Sequence, residues 1–540
     1  MNDLVSVLRQ SYDDVPYVSH PFPQTAPEQL YTLAHLFGVE GEDPKVARVL
    51  EIGCSSGGNI LPYALRNPKA HVVGVDLSEV QVSIGQKKVD ELKLRNIVLK
   101  AINIEAFENR DEPYDYIICH GVFSWVPKSV QQAILKVCSE HLSKKGVVYI
   151  SYNTYPGWKT KEIIRDAMMF RGSKRSTPQE KISYAMGMLD FIQETSAEGS
   201  TLRKAFDDHV AFIKQSSETY VLHEFLEPCN QPMYFKDFIS MASEFDLGYL
   251  AEASYQQMFL SNYPDKIAGP LSKEITTQEE LEQFLDFVNN NTFRQTLLIK
   301  KDRQKSVSYT LDRKRLENIA VAGFFSKQDQ STAHGVAKST QAYFDWRGVE
   351  VVIDSPLDVA FMEILSDAYP DTLTLYQLYT SLEGSSAFVR LQNVSDVILD
   401  LLKKYIVCGY VRMRVQYETH KLQSLKELDE LFKDEEYKWQ WSQSSMQPYE
   451  EWAVTPWHDM FRLSDAQREL KRALSEQCTY DQLYDALRQA VVSGKLFLQQ
   501  NGESIDIHSD KEKAAQVLDD VLKSNLLVMW RNGLLAVTKS

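Results

Sequence analysis

Five apolar segments alternate with amphipathic helical patterns between Val46 and about Tyr152, which predicts an α/β protein built on a doubly wound sheet with helical crossovers. Two local features support this. The first segment runs into a turn of small residues, Val49-Leu50-Glu51-Ile52-Gly53-Cys54-Ser55-Ser56-Gly57-Gly58-Asn59, and the second, Val72-Val73-Gly74-Val75-Asp76, ends in an acid. A strand, a glycine-rich turn opening a helix and a second strand closing on a carboxylate make the nucleotide half-site of such folds. The small residues admit the backbone to the ligand and the acid bonds the sugar hydroxyls.

The predicted strands are Ala47 to Ile52, His71 to Asp76, Ile97 to Ile102, Asp115 to Cys119 and Gly146 to Ser151. Between the second and third, Ser78 to Leu94 reads as a helix, with Ser78 at the N-cap and Val82, Val89 and Leu92 at helical spacing. A parallel sheet of this kind binds ligands at the carboxyl ends of its strands. Beyond Trp158 the sequence turns helical, with Lys161 to Phe170, Gln179 to Gln193 and Leu202 to Gln215 as candidates. Leu247 to Ala253 and Phe293 to Lys300 then return to strand-like composition. We read them as the last strands of the first sheet, with the helices inserted before them; a separate small α+β domain is the alternative.

Lys301 to Arg315 is charged and polar, as a linker would be. Pro356 to Ala368, Thr372 to Leu382 and Val394 to Tyr405, followed by the apolar Gly409 to Val415, give helix, helix, helix and strand, the order of a winged-helix module. In its third helix Lys403 and Lys404 are set against Asp396 and Asp400, which favours protein interaction over DNA reading. Glu435 to Met460 carries Trp439, Trp441, Trp452 and Trp457, half of the eight tryptophans, and suggests a strap packed across a domain boundary. The remainder, Ser464 to Ser540, has two helical stretches and a closing strand or hairpin at Leu526 to Val537.

At 540 residues the chain exceeds what one core serves, so about three to four domains are expected. A formal charge of -15 argues against sequence-independent nucleic-acid binding, which needs a positive field. No stretch approaches the roughly 20 apolar residues of a membrane helix, and Met1 to Gln10 carries Asp3 and Arg9 and lacks a long apolar run. A cytoplasmic protein with no membrane insertion is expected. The cysteines Cys54, Cys119, Cys138, Cys229, Cys408 and Cys478 lie far apart with no Cys-x-x-Cys pair, which fits reduced thiols better than disulfides or zinc. Cys54 and Cys119, at strand ends, read as packing residues, and Asp115 as a structural partner inside the core. No metal is expected.

The first turn separates candidate ligands. A dinucleotide site wants Gly-x-Gly-x-x-Gly to hold a pyrophosphate at a helix N-terminus, whereas here the order is Gly53-Cys54-Ser55-Ser56-Gly57 with Glu51 two places earlier. This resembles the Glu/Asp-x-Gly-x-Gly-x-Gly pattern of class I S-adenosylmethionine methyltransferases, with Ser55 in place of the middle glycine. A carboxylate there repels a pyrophosphate and suits the cationic amino-acid end of S-adenosylmethionine. That ligand would engage Glu51, Gly53, Ser55, Gly57 and Asn59 at the turn, Asp76 at the ribose, Asn103 and Ile104 around the adenine, Leu77 next to Asp76, and His120 as a packing group. The proline-rich aromatic segment Tyr12 to Tyr17 and Ser19 to Pro27 resists regular structure and can lie as a lid, with Tyr12, Tyr17 and Thr25 as covering residues. After the fourth strand come Gly121-Val122-Phe123-Ser124-Trp125-Val126-Pro127, and after the fifth Ser151-Tyr152-Asn153-Thr154-Tyr155-Pro156-Gly157-Trp158. Methyl transfer needs an aligned nucleophile and a dry pocket with aromatic or oxygen groups near positive charge, so Trp125, Asn153, Tyr155 and Trp158 are the candidate catalytic set. The Asn-Pro-Pro-Tyr signature of DNA amine methylation is absent after the fourth strand.

With Tyr220 to Glu227, Pro232 to Phe235 and Phe293 to Leu298, these stretches resemble methyltransferases carrying a regulatory domain, among them the rickettsial-type protein-lysine methyltransferases of outer-membrane proteins. His223-Glu224 is no zinc motif, since no second histidine falls at the His-Glu-x-x-His spacing. The resemblance implies a Rossmann-like methyltransferase sheet with a helical insertion, followed by winged-helix-like and α+β modules. It implies methylation of lysines on a protein substrate, with an outer-membrane protein before export as the candidate, S-adenosylhomocysteine as product and homodimerisation through the helical middle. The corresponding division is 1–160 for the cofactor-binding core with its lid, 161–245 for the helical insertion, 246–305 for the last core strands, 306–430 for the winged-helix-like module and 431–540 for the α+β module. A small-molecule or RNA acceptor, or a non-catalytic scaffold that binds the cofactor, are the alternatives.

Overall fold

The computed structural model describes residues 9–10, 12–14, 17, 19–108, 112–328, 342–383, 394–415, 432, 437–442, 449–500, 503–505 and 510–539. The chain forms two compact units. One comprises Met1–Ser19, Val39–Ile60 and Lys69–Val307, the other His20–Gly38, Leu61–Pro68 and Ser308–Ser540.

In the first unit, β1 (Arg48–Ile52), β2 (His71–Asp76), β3 (Ile97–Ala101), β4 (Tyr114–Cys119) and β5 (Leu142–Asn153) are parallel. Two later strands, β6 (Leu247–Glu252) and β7 (Phe293–Lys300), complete a seven-stranded sheet of order β3-β2-β1-β4-β5-β7-β6. Because β7 runs antiparallel to both β5 and β6, the sheet is mixed rather than wholly parallel. The last two strands do join the first sheet, with the helices inserted before them. Strand order reverses at β1, whose neighbours are β2 and β4, and the carboxyl ends of the strands at such a switch point are where folds of this kind bind ligands. β5 is longer than the predicted Gly146 to Ser151, because its opening residues Ser143-Lys144-Lys145 are polar and half or fully exposed, which hides the strand from an apolar pattern.

The helices follow from local signals. Ser78 caps Glu79–Glu91 by accepting from the Gln81 N–H, and the helix Lys128–His141 buries Val130, Ile134, Leu135, Val137 and Cys138 against the sheet. Each buried aliphatic side chain of that face stabilises the fold by roughly 1.5–3 kcal/mol. The inserted helices are Trp158–Gly172, Pro178–Thr195, Thr201–Gln215 and Glu218–Phe225, the last three started by Thr177, Ser200 and Ser217 caps. They share a core of their own around Met168, Leu189, Phe206, Ile213 and Phe225.

In the second unit, the helices Pro356–Ala368, Leu375–Glu383 and Val394–Val407 lead to the strand Arg412–Arg414, which pairs antiparallel with Ala320–Ala322. Lys404 is held by Asp354 and Asp358, each at 2.7 Å, so the third helix spends that cation internally. The segment read as a linker contains the passage from one unit to the other at Val307 and Ser308, and it carries the 3-10 helix Lys301–Ser306 and the helix Arg313–Glu317, the latter capped by Asp312. Two expectations need correction here. Of Leu526 to Val537, read as a strand or hairpin, residues up to Arg531 belong to the helix Lys511–Arg531, and the closing strand comes later, at Leu535–Lys539, paired with Tyr437–Trp441. Trp439 and Trp441 are not a boundary strap but lie in the core around that helix, at 0% and 2% exposure. Trp457 does bridge separate segments, donating from Nε1 to the Pro370 carbonyl at 3.2 Å and stacking under Arg414. Within the tryptophan segment, residues 435–436 and 443–448 lie outside the described residues.

One buried ion cluster pins the sheet edge. Arg294 on β7 bonds Glu252 at the end of β6 at 2.9 Å, and Glu282 and Asp286 on the helix Gln278–Asn289 at 3.1 and 2.9 Å. Burial opposes the Arg294 charge, yet the three carboxylates outweigh it and hold its pKa well above the usual value. Burial raises all three acids, Glu282 to about 7. Replacing Arg294 by methionine strands these carboxyl groups and should cost about 3–5 kcal/mol in urea unfolding. Glu282 holds its proton more tightly folded than unfolded, so its contribution is fully present below pH 4.5 and is lost as pH rises through about 7. Glu282→Gln should flatten that decline.

Candidate cofactor and acceptor site

The turn after β1 is set by three positive φ angles, 75° at Gly53, 50° at Ser55 and 74° at Gly57. At Gly53 an added Cβ would stand 2.3 Å from Val122 Cγ2, so the loop after β4 packs where a side chain would be. Ser55 takes the left-handed conformation that its position asks of glycine, at a cost of about 1–2 kcal/mol. Its polar contacts offset that cost: the N–H donates to Asp76 Oδ2 at 2.8 Å, and the hydroxyl is shared between Gln81 Oε1 and, at 3.4 Å, the Tyr17 carbonyl. Asp76 Oδ1 accepts from the Ser78 N–H at 2.9 Å. Burial raises the Asp76 pKa against these backbone bonds. A carboxylate has about four acceptor positions, so capacity remains for sugar hydroxyls.

Glu51, 4% exposed, lies on β1 beneath this turn. Its Oε1 accepts from Asn59 Nδ2 at 2.7 Å, while Oε2 is buried with no hydrogen-bond partner. Burial raises its pKa to about 8, Asn59 working against the shift and Asp76 adding to it. A buried oxygen in want of a donor beside a turn shaped for close backbone approach fits a ligand with a cationic amino end and a ribose. The N-terminal segment closes over the same turn: Gly58 N–H donates to Ser19 Oγ at 2.9 Å, and Ser78 Oγ donates to Asp13 Oδ1. Tyr12 is half-buried and Tyr17 is 43% exposed. Residues 15, 16 and 18 of that segment lie outside the described residues.

The other expected cofactor residues fall as follows. Asn103 caps the 3-10 turn Ile104–Ala106 at the end of β3, accepting from the Glu105 N–H at 3.0 Å, and Ile104 is half-buried beside it. Leu77 follows Asp76 and is half-buried. Thr25 belongs to the other unit, where it is fully buried and its hydroxyl donates to the Phe22 carbonyl at 2.9 Å. His120 Nδ1 is 2.9 Å from the Tyr149 hydroxyl, and its ring meets Phe293 edge-on at 6.1 Å.

Of the residues expected to face the acceptor, Trp125 and Trp158 meet edge-on with centroids 6.2 Å apart. Trp125 is half-buried, but Trp158 is 1% exposed and belongs to the core. Asn153 is fixed twice, its N–H donating to Ser124 Oγ at 2.8 Å and its amide to Asn230 at 3.0 Å. Tyr155 keeps other company: its hydroxyl donates to Glu162 at 2.5 Å, Lys159 lies 3.7 Å over its ring, and Tyr234 packs at 5.3 Å. Burial and the bond to Glu162 raise its pKa, so the phenol stays neutral. Burial pushes the Cys119 thiol up to about 12 and that of Cys54 well above its usual value, as packing residues require. Asp115 accepts from the Arg48 N–H at 2.9 Å, the expected structural role. The sequence reading missed Ser19, Gln81, Ser124 and Asn230, whose partners are 26 to 77 positions away.

Residues 49–146 match the family model described as a methyltransferase domain, residues 217–300 a predicted methyltransferase regulatory domain, and residues 438–534 the C-terminal winged-helix domain of PKMT. The last lies where the sequence suggested an α+β module. The uncharacterized protein RP789 of Rickettsia prowazekii is 32% identical over 408 residues, 75% of this chain and 74% of its own. RP028 of the same organism is 40% identical over 236 residues, covering 43% of this chain and 94% of its own. The structure of PKMT2 from Rickettsia typhi superposes with a TM-score of 0.81 at 26% identity, covering 96% of this chain and 100% of that one. The chain belongs to the class I S-adenosylmethionine-dependent methyltransferases of the rickettsial PKMT type. PKMT2 in complex with AdoHcy superposes at 0.77, and S-adenosylmethionine is the cofactor of this methyltransferase. Among the described residues no group of His, Cys, Asp and Glu could hold a metal ion, and no helix is long and apolar enough to cross a membrane.

With Glu51 as the expected partner of the cationic amino end, cofactor binding should depend on pH. Burial raises this carboxyl to about 8, so below that value a cationic amino group must displace its proton to gain a charged partner. Affinity for S-adenosylhomocysteine in calorimetric titration should therefore rise from pH 6 to pH 7.5, by at most about tenfold per unit. Glu51→Gln should remove the rise, and Asp76→Ala should weaken binding at both pH values.

Proposed function

We propose that this methyltransferase transfers methyl groups to lysine side chains of a protein substrate, an outer-membrane protein modified in the cytoplasm before export being the candidate. The observation that carries this reading is the likeness to PKMT2 across 96% of the chain, which includes the winged-helix region as well as the cofactor-binding sheet. A lysine amine with an ordinary pKa of about 10.4 must lose its proton before it can attack. Apolar walls do this without a dedicated base, since desolvation disfavours the ammonium. Bound S-adenosylmethionine supplies an electrophilic methyl carbon on a sulfonium.

The residues of the chain then divide the work. Glu51, Asp76 and the turn from Gly53 to Asn59 hold the cofactor, with Asn103, Ile104 and Leu77 toward the adenine. Trp125 offers its half-buried ring as the wall of the lysine channel, and buried Trp158 braces it edge-on. Asn153, locked to Ser124 and Asn230, presents a fixed polar group, and Tyr155 lines the approach as a neutral phenol. We further propose homodimerisation through the helices of residues 161–245, which expose Phe170, Phe191 and Phe212 at 67%, 55% and 59%, within the division 1–160, 161–245, 246–305, 306–430 and 431–540.

Radiolabelled methyl transfer onto a cell extract tests the acceptor. Label should be protease-sensitive and nuclease-resistant, and mass spectrometry should place it on lysine; label in small molecules would refute the reading. Trp125→Ala should lower kcat roughly tenfold to a hundredfold, the effect of losing acceptor alignment, with affinity for S-adenosylhomocysteine unchanged.

A further inference from the structure

His223 stands apart from every residue given a role so far. It lies in the helix Glu218–Phe225, within the residues that match the regulatory-domain family model. It is 9% exposed, and its Nδ1 is 2.9 Å from Oε1 of Glu227, itself 2% exposed. Two aromatic rings of the N-terminal segment converge on this imidazole. Tyr12 stacks on it with centroids 5.3 Å apart and planes 8° from parallel, and Tyr17 meets it edge-on at 6.1 Å and 70°.

The same segment is anchored to the cofactor half-site through other bonds. Asp13 accepts from Ser78, Arg9 pairs with Glu79 at 3.0 Å, the Tyr17 carbonyl accepts from Ser55, and Ser19 Oγ accepts from Gly58. Arg9, Tyr12, Asp13, Tyr17 and Ser19 thus link the turn proposed to hold the cofactor, with the helix after β2, to the helix that carries His223. We infer that His223, oriented by Glu227, is a positioning residue that fixes the N-terminal segment over the cofactor site, so that the regulatory region controls how firmly the cofactor is retained. The inference rests on the cofactor site and is independent of which acceptor is methylated.

Three properties of the pair suit this role. A flat imidazole presents a stacking face to Tyr12 that an aliphatic side chain lacks. The buried Glu227 carboxyl fixes the ring plane, since a bond to one ring nitrogen sets how the imidazole is turned. Burial, then the carboxyls of Glu227 and Asp76, raise the pKa of Tyr12, so its ring lies within the influence of both the regulatory helix and the ribose-binding acid.

The test is affinity for S-adenosylhomocysteine, read together with protection of the bond after Arg9 from trypsin. His223→Ala and Tyr12→Ala should each weaken binding about tenfold, equivalent to roughly 1.4 kcal/mol, and the double variant should lose no more than either alone. Tyr12→Phe keeps the stacked ring and should bind more tightly than Tyr12→Ala. S-adenosylhomocysteine should protect the Arg9 bond in the unaltered protein but not in His223→Ala. If His223→Ala fails to fold, Tyr12→Ala and Tyr12→Phe read the same contact from the segment's side. Unchanged affinity in Tyr12→Ala, additive losses in the double variant, or a Tyr12→Phe loss equal to that of Tyr12→Ala would each overturn the inference.

Discussion

The Asp76 carboxylate, accepting N–H groups from Ser55 and Ser78, is the interaction on which the cofactor half of the protein depends. One oxygen holds the turn after β1 and the other holds the start of the helix after β2. Two loops that belong to different βα units are thereby fixed to one strand end. The bond from Ser55 also supports a left-handed residue that lacks glycine's freedom, and so explains how serine can stand in the middle of the turn. The acid that should meet the ribose is thus already part of the scaffold. Its position is set before any ligand arrives, which is the condition for binding without reorganisation.

Glu51 works in the opposite sense. Asp76 is satisfied by its surroundings, whereas Glu51 keeps one buried oxygen without a donor and carries a raised pKa. Leaving a buried acceptor unmatched costs about 1–3 kcal/mol, and a cationic ligand group removes that cost on binding. The two acids therefore divide the tasks of shape and charge.

The sheet, its first five strands and the turn were legible because their signals are local: apolar runs, small residues and an acid at fixed spacing. So were the cap at Ser78 and the strand Phe293–Lys300. Partners far along the chain left no such mark. Nothing in the sequence joins Ser124 to Asn153, Gln81 to Ser55 or His223 to Tyr12, since each pair meets only after the fold has formed. Polar residues obscured the start of β5 and the helix Arg313–Glu317. At the C-terminus, Leu518, Leu522, Leu526 and Met529 keep helical spacing, but the run from Leu526 alone looks like a strand. Trp439 and Trp441 carry no sign of burial in their polar setting, because it is their pairing with Leu535–Lys539 that turns them inward.

The two sides of the site are held by forces of different kinds. In the loop after β4 Ser124 is bonded at both ends: its hydroxyl accepts from Asn153 and its carbonyl accepts from Gln231 at 2.7 Å. Asn153 is 3% exposed, Trp158 is 1% exposed, and the loop after β4 cannot shift without leaving buried polar groups unmatched. At the N-terminal segment the contacts are an exposed ion pair at Arg9, one stacked and one edge-on ring on His223, and single bonds at Ser19, Asp13 and Tyr17. An exposed pair contributes roughly 0–1 kcal/mol and a stacked pair about 0.5–1.5 kcal/mol, so the lid is held by a sum of small terms. Opening a ligand site requires breaking one side or the other. Moving the loop after β4 would lose buried hydrogen bonds, whereas moving the described N-terminal residues loses contacts that water largely replaces; in the proposed reading, with Trp125 as the wall of the lysine channel, the cofactor would exchange past the N-terminal segment.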